Sequence, residues 1–296
     1  PLLSMPPLSS TAHLANPLPY AHYTPQRLCN DFVTNGFGLL TLKEDELFTL
    51  QDADAEPCAP IACIGAGTGL GQTFLTWTGT RYEAFASEGG HADYAPKTEL
   101  EIELLTHLKE LYRKTWVVGT QEESTIRTSR VSVERVVSGK GIATSYDFLA
   151  TRFPEDVDEE LHAKINAAGD MKGQVIANNG TRGARNKNCR RAMDIFTSSY
   201  GSEAGDMALK FLPMGGLYIA GGIAPANLDY LAARRIRKHP NGDREMLGFM
   251  TAFLDKGRLT NILERIPVHV VLAKDLGQRG AHLLAYTLAT EDDDAK

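Results

Sequence analysis

The chain has 296 residues, of which 43% are hydrophobic, and a formal net charge of −6 at pH 7. The apolar share is ordinary for a globular protein with a sizeable core, and the acidic balance excludes a sequence-independent nucleic-acid binder, which needs a basic face. No apolar run reaches the ~18–20 residues of a membrane span, and the Pro-rich start lacks the basic opening of a signal peptide.

Residues 1–28 are rich in Pro, Ser and Ala and read as a loop-like lead-in. A strand-like run ends near Asn30, and residues 51–60 form a polar linker. Residues 61–64 and 72–78 read as two strands around a glycine turn, with 82–86 as a third antiparallel strand. Residues 98–112 are predicted helical. Thr98 and Glu101 suggest a capping box, and Leu104, Leu105, Leu108, Leu111 and Tyr112 fall on one face. Residues 115–130 lack periodicity and read as a surface excursion. A short helix over 133–137, capped by Ser132, is expected to break at Ser138-Gly139-Lys140-Gly141.

Helices are predicted over 158–178 and 188–212. Gly201, Ala204, Gly205 and Ala208 would let the second approach a neighbour closely. Residues 217–220 and 268–273 read as buried strands, 246–254 as a helix, and a last helix starts near Gly280. Arg234, Arg235, Arg237 and Lys238 read as a solvated basic helix end, and residues 291–294 as a solvated acidic tail. Strands mixed with long helices indicate an α/β protein. The cysteines, Cys29, Cys58, Cys63 and Cys189, form no C-x-x-C pair. That disfavours a zinc or redox motif and fits a reducing compartment, with Cys63 a small core residue.

Five segments carry chemistry. Glu88-Gly89-Gly90-His91-Ala92-Asp93 gathers two carboxylates and an imidazole around a Gly-Gly bend that lets polar groups converge on a small ligand. A metal site at Glu88, His91 and Asp93 is the lesser alternative, since no second His or Cys cluster completes it. Gly65-Ala66-Gly67-Thr68-Gly69-Leu70-Gly71 fits either a tight hairpin turn or an anion nest of backbone N–H groups, with glycine allowing φ > 0 and close backbone approach. Its spacing matches neither a dinucleotide fingerprint nor a Walker loop. Gly221-Gly222, after a buried strand, reads either as close helix packing or as a crevice for a flat ring. Asn30-Asp31 reads as a turn or cap, or as the carboxylate that takes a proton from an alcohol in phosphoryl transfer. Glu134 reads as an exposed helix residue unless the wider set recruits it.

In their order along the chain these segments resemble the bacterial-type ATP-dependent glucokinase family, from about Cys29 to the C-terminal helix. The resemblance implies an actin-like ATPase, ribonuclease H-like α/β fold of two lobes. Residues 1–41 would be a remnant of the small lobe, 42–271 a complete large lobe, and 272–296 a C-terminal helix returning to the small lobe. It further implies Asp31 as the general base for the sugar's 6-hydroxyl, with Asn30, Glu88, His91 and Glu134 as glucose ligands. Gly65, Gly67, Thr68, Gly69 and Gly71 would be the phosphate-2 loop, and Gly221 and Gly222 the adenosine contact. Gly277 to His282 resembles the turn before the family's last helix. ATP and Mg²⁺ are the implied cofactors, no resident metal site is implied, glucose is the substrate, and a homodimer stays open.

The family's first phosphate loop, Asp-x-Gly-Gly-Thr, has no counterpart before Asn30. The expectation is therefore a reduced small lobe, with a catalytically impaired sugar-binding or regulatory relative, or a truncated fragment, as the alternative. A cytoplasmic location is the default.

Overall fold

The computed structural model describes residues 28–112, 130–180, 186–233, 236–238 and 244–294. Its sheet holds β1 (Leu47–Gln51), β2 (Ile61–Ala66), β3 (Leu70–Trp77), β4 (Tyr82–Ser87), β5 (Leu217–Ala220) and, after a small hairpin of β6 (Ile236–Lys238) and β7 (Arg244–Met246), β8 (Val268–Val271). The strand order is β1-β8-β5-β2-β3-β4. β8, β5 and β2 run parallel, and β1, β3 and β4 pair antiparallel to their neighbours. The expected hairpins at 61–86 are therefore present, and the three parallel strands end at one edge.

Helices cover both faces. They are α1 (Asp31–Leu39), α2 (Glu99–Leu111), α3 (Gly139–Arg152), α4 (Glu159–Ala167), α5 (Lys172–Gly180), α6 (Lys187–Phe211), α7 (Ile223–Ala226), α8 (Leu228–Ala232), α9 (Phe249–Leu254), α10 (Thr260–Leu263) and α11 (Leu276–Asp294). The alternation of side chains along a strand sends Ala62, Ile64 and Ala66 into the larger core with Phe196, Tyr200 and Ala204 of α6. Ile61 and Cys63 face the other way, toward Leu39 of α1 and Leu276 of α11. Cys63 is fully buried, and burial pushes its thiol up to about 12.

The small residues of α6 act as expected. A Cβ on Gly201 would fall 2.0 Å from the Phe249 carbonyl oxygen, and one on Gly205 would fall 2.7 Å from that of Phe253. The backbones of α6 and α9 thus approach more closely than any side chain permits.

Several local expectations need correction. Asp31 opens a helix rather than following a strand; residues 28–30 carry no regular structure, and the run before them lies outside the described residues. Thr98 caps α2 by accepting the Glu101 N–H at 3.2 Å, but the reciprocal half of the box does not form. The buried Glu101 carboxylate instead accepts from the Lys97 N–H, just before α2, and from Ser198 Oγ of α6. Leu111 of the predicted apolar face is 55% exposed.

Residues 133–135 form one 3-10 turn without a Ser132 cap. Ser138 does not end a helix. It starts α3, its Oγ accepting the Gly141 N–H at 3.0 Å. Glycine stands there because a Cβ on Gly141 would lie 2.3 Å from the Val136 carbonyl oxygen. The predicted helix over 158–178 is split at Gly169, whose φ of +54° few side chains tolerate. Residues 244–246 are strand, and the helix that follows begins at Phe249. The last helix begins at Leu276, so Gly277 and Gly280 lie inside it. Gly280 is needed where α11 crosses α1, since a Cβ would strike the Thr34 carbonyl oxygen at 1.7 Å. Residues 115–129, Arg234 and Arg235 lie outside the described residues; Ile236–Lys238 is strand rather than helix.

Candidate active site

A cavity of about 790 Å³ opens where β2, β5 and β8 end, the place ligands favour in open α/β sheets. Its volume lies within the roughly 300–1,000 Å³ typical of ligand sites. Asn30, Asp31, Glu88, His91 and Glu134 all line it, together with Gly65, Gly67, Thr68, Gly69, Gly71, Gly221 and Gly222. Strands and helix ends bring to one place residues that lie up to 192 positions apart, Asn30 to Gly222.

Asn30 is the N-cap of α1. Its Oδ1 accepts the Phe32 N–H at 2.8 Å, and Asp31 Oδ1 accepts the same N–H at 2.9 Å. The cap occupies the amide oxygen of Asn30 and leaves its N–H₂ as the group for a ligand hydroxyl. Asp31 sits in the first turn, where the helix dipole stabilises negative charge.

Glu88 and His91 flank the Gly-Gly bend, with His91 Nε2 3.8 Å from Glu88 Oε2 and both side chains exposed to the cavity. The bend needs glycine twice. A Cβ on Gly90 would meet the Leu70 carbonyl oxygen at 1.9 Å, and one on Gly89 would meet Gln72 Oε1 at 2.0 Å. Gln72 in turn donates to Glu203 at 2.8 Å, and burial raises the pKa of that carboxyl. Asp93 does not line the cavity. It accepts from Arg130 Nε at 2.5 Å, while the same guanidinium donates to the His91 carbonyl. Asp93 and Arg130 thus brace the bend, and among the described residues no group of three potential metal ligands is found.

Glu134 joins the two halves of the cavity. Its Oε2 accepts the Leu70 N–H at 3.0 Å, so a residue read as part of the sugar wall holds the glycine turn. The turn closes through Gly67 N–H to the Gly69 carbonyl at 2.8 Å, and the N–H of Gly139, at the start of α3, donates to the Gly67 carbonyl at 2.9 Å. None of Gly65, Gly67, Gly69 and Gly71 has positive φ. Gly65, Gly69 and Gly71 serve close approach, and the left-handed conformation belongs to Gly221, at φ +81°. A Cβ on Gly67 or Gly222 would meet nothing within 4 Å.

Sequence reasoning missed Asn35, Ser87, Leu272, Lys274 and Leu276, which also line the cavity. Only the C-terminal end of the predicted strand at 268–273 could have pointed to Leu272 and Lys274. The structural role of Arg130 carried no sequence signal.

The sequence model of the glucokinase family matches residues 21–288. A glucokinase of Nostoc sp. (strain PCC 7120) is 41% identical over 271 residues, covering 88% of this chain and 71% of the relative. The solved glucokinase from an Antarctic psychrotroph superposes with a TM-score of 0.63 at 26% identity, over 87% of this chain and 67% of that one. The glucokinase of Balamuthia mandrillaris, solved in complex with glucose, gives 0.63 at 17% identity, over 88% and 65%, a likeness of fold. With a matched family model across most of its length and the actin-like ATPase fold of these kinases, the chain belongs to the glucokinase family.

Proposed function

We propose that this chain transfers the terminal phosphoryl group of ATP to the 6-hydroxyl of D-glucose. The observation that carries the reading is one cavity lined by Asp31, Asn30, Glu88, His91, Glu134 and the glycine turn together. Pyranose hydroxyls need both acceptors and donors, and two carboxylates, an amide and an imidazole supply them beside Asp31. A site built this way rejects a sugar that lacks a hydroxyl, because its own polar groups are then left unpaired.

Asp31 takes the proton of the attacking hydroxyl, held in place by the first turn of α1. The N–H groups of Thr68 and Gly69 cradle the phosphates, that of Gly67 being taken by the Gly69 carbonyl, and Gly221 and Gly222 admit the adenosine. The hard oxygen donors of Asp31 and Glu134 in the same cavity suit Mg²⁺, which is held chiefly through the nucleotide phosphates and water. When bound, the ion neutralises charge on the phosphoryl oxygens. In this reading residues 1–41 and 272–296 belong with the small lobe, which the packing of Gly280 against Thr34 supports by tying α11 to α1.

The test is a coupled assay with ATP and glucose on the wild-type chain and on Asp31→Asn. The variant is expected to lose roughly 10²–10⁴ in kcat, the usual worth of a positioned base, while calorimetry still detects glucose. Undiminished turnover in Asp31→Asn removes the assigned role. Glucose binding by a wild-type chain without turnover replaces the kinase with a sugar-binding relative.

A further inference from the structure

Gly65 and Gly71 are partners across the β2–β3 ladder. They continue two rows of side chains that face α1, Ile61 and Cys63 on β2 and Leu75 and Thr73 on β3. At this one rung both strands lack a side chain, which leaves a trench in the face of the sheet. The ring of Phe32 fills it. A Cβ on Gly71 would fall 2.0 Å from Cδ2 and Cε2 of that ring, and one on Gly65 would fall 2.8 Å from its Cζ. The ring also packs against the cluster formed by Cys63, Ala220 and Leu276. At its other end, the backbone N–H of Phe32 is the donor that both Asn30 Oδ1 and Asp31 Oδ1 accept.

We propose that Phe32 is a positioning residue of this site, wedged into the Gly65–Gly71 trench so that its N–H sets the Asn30 and Asp31 side chains against the glycine turn. The proposal rests on the kinase reading for its catalytic consequence, though not for its geometry. It assigns Gly65 and Gly71 a different task from Gly67. The first two are glycine to receive a ring, whereas Gly67 is glycine beside open cavity.

The alternative is that Gly71 is needed for direct approach of a phosphate. A bump-and-hole series separates the two. Gly71→Ala forces the ring out of the trench and is expected to lower kcat roughly 10–100-fold, the scale of a misplacement of about 1 Å. Phe32→Leu combined with Gly71→Ala makes room for the new methyl, and most of the lost kcat should return. The loss in Gly67→Ala should not be recovered by Phe32→Leu.

A second readout needs no turnover. Hydrogen exchange at the first-turn amides Val33 and Thr34, both bonded to the Asn30 carbonyl, should quicken in Gly71→Ala and recover in the double variant. If exchange behaves so while the wild type fails to phosphorylate glucose, the wedge stands and the kinase reading falls. If exchange in Gly71→Ala matches wild type, or the two substitutions multiply without rescue, the proposal is overturned.

Discussion

The Oε2 atom of Glu134 accepts the Leu70 N–H at 3.0 Å and lies 2.5 Å from where a Cβ on Gly69 would stand. A single methyl in the glycine turn would therefore displace a carboxylate assigned to the sugar. Gly69→Ala is expected to raise the KM for glucose roughly 10–100-fold, as for loss of one hydrogen bond of about 1.5–3 kcal/mol to a charged group. Steady-state kinetics with each substrate varied in turn checks it; a change confined to the KM for ATP contradicts it. Nothing in the sequence around Glu134 exposes this bond, because its partner is 64 positions away. The motif order nominated the residue, and only the coordinates say what it holds. Asp93 illustrates the opposite outcome, a carboxylate adjacent to the site in sequence that folding turns toward Arg130.

Between elements, the glycine turn is held from below by α6. The hydroxyl of Tyr200 accepts the Ala66 N–H at 3.1 Å and donates to the Ile64 carbonyl at 3.3 Å, all three residues being fully buried. Tyr200→Phe removes one buried hydrogen bond from the Ala66 N–H and one from the Ile64 carbonyl. A loss of about 1–3 kcal/mol of stability is expected in urea unfolding, with little change in unfolding slope.

Beside the edge strand β1, Arg279 of α11 grips Glu46 with bonds of 2.8 and 2.6 Å. The Arg279 guanidinium, aided by the Lys43 N–H, lowers the Glu46 carboxyl to about 2 from its ordinary 4.5. The folded-state value is depressed, so this contribution is present above pH 4.5 and is lost as pH falls toward 2. Wild type should lose thermal stability over that window more steeply than Glu46→Gln; parallel pH profiles would refute the linkage. The α11 pattern is legible as a helix, but it begins at Leu276, about one turn before the expected Gly280. Gly277 and Gly280 read as breakers until their packing against Asn35 and Thr34 is known.

For the whole molecule, the cavity combines the carboxylates Asp31, Glu88 and Glu134 with Lys274, the one Lys or Arg among the described residues that line it. Its sugar side is acidic, so under the proposed function the phosphates would depend on backbone N–H groups, a cation brought with the nucleotide and Lys274. A ligand that binds only the folded chain stabilises it by mass action. Glucose at 100 times its Kd should add about 2.7 kcal/mol and raise Tm, while a hexose lacking a hydroxyl should not. Equal shifts with both sugars would contradict the hydroxyl-paired wall.

By itself the sequence determined the α/β class, the paired strands around the glycine turn, the buried strands read at 217–220 and 268–273 and the small-residue face of α6, all from periods and spacings within a few dozen residues. The family came from the resemblance carried by the order of the motifs along the chain. Tertiary structure alone decided that Asp31 heads a helix, that Gly65 and Gly71 receive Phe32, that Glu134 holds Leu70 and that Arg130 braces His91. Those contacts form only once β2, β5 and β8 lie side by side, and strand order is a property of the assembled sheet that no local spacing encodes.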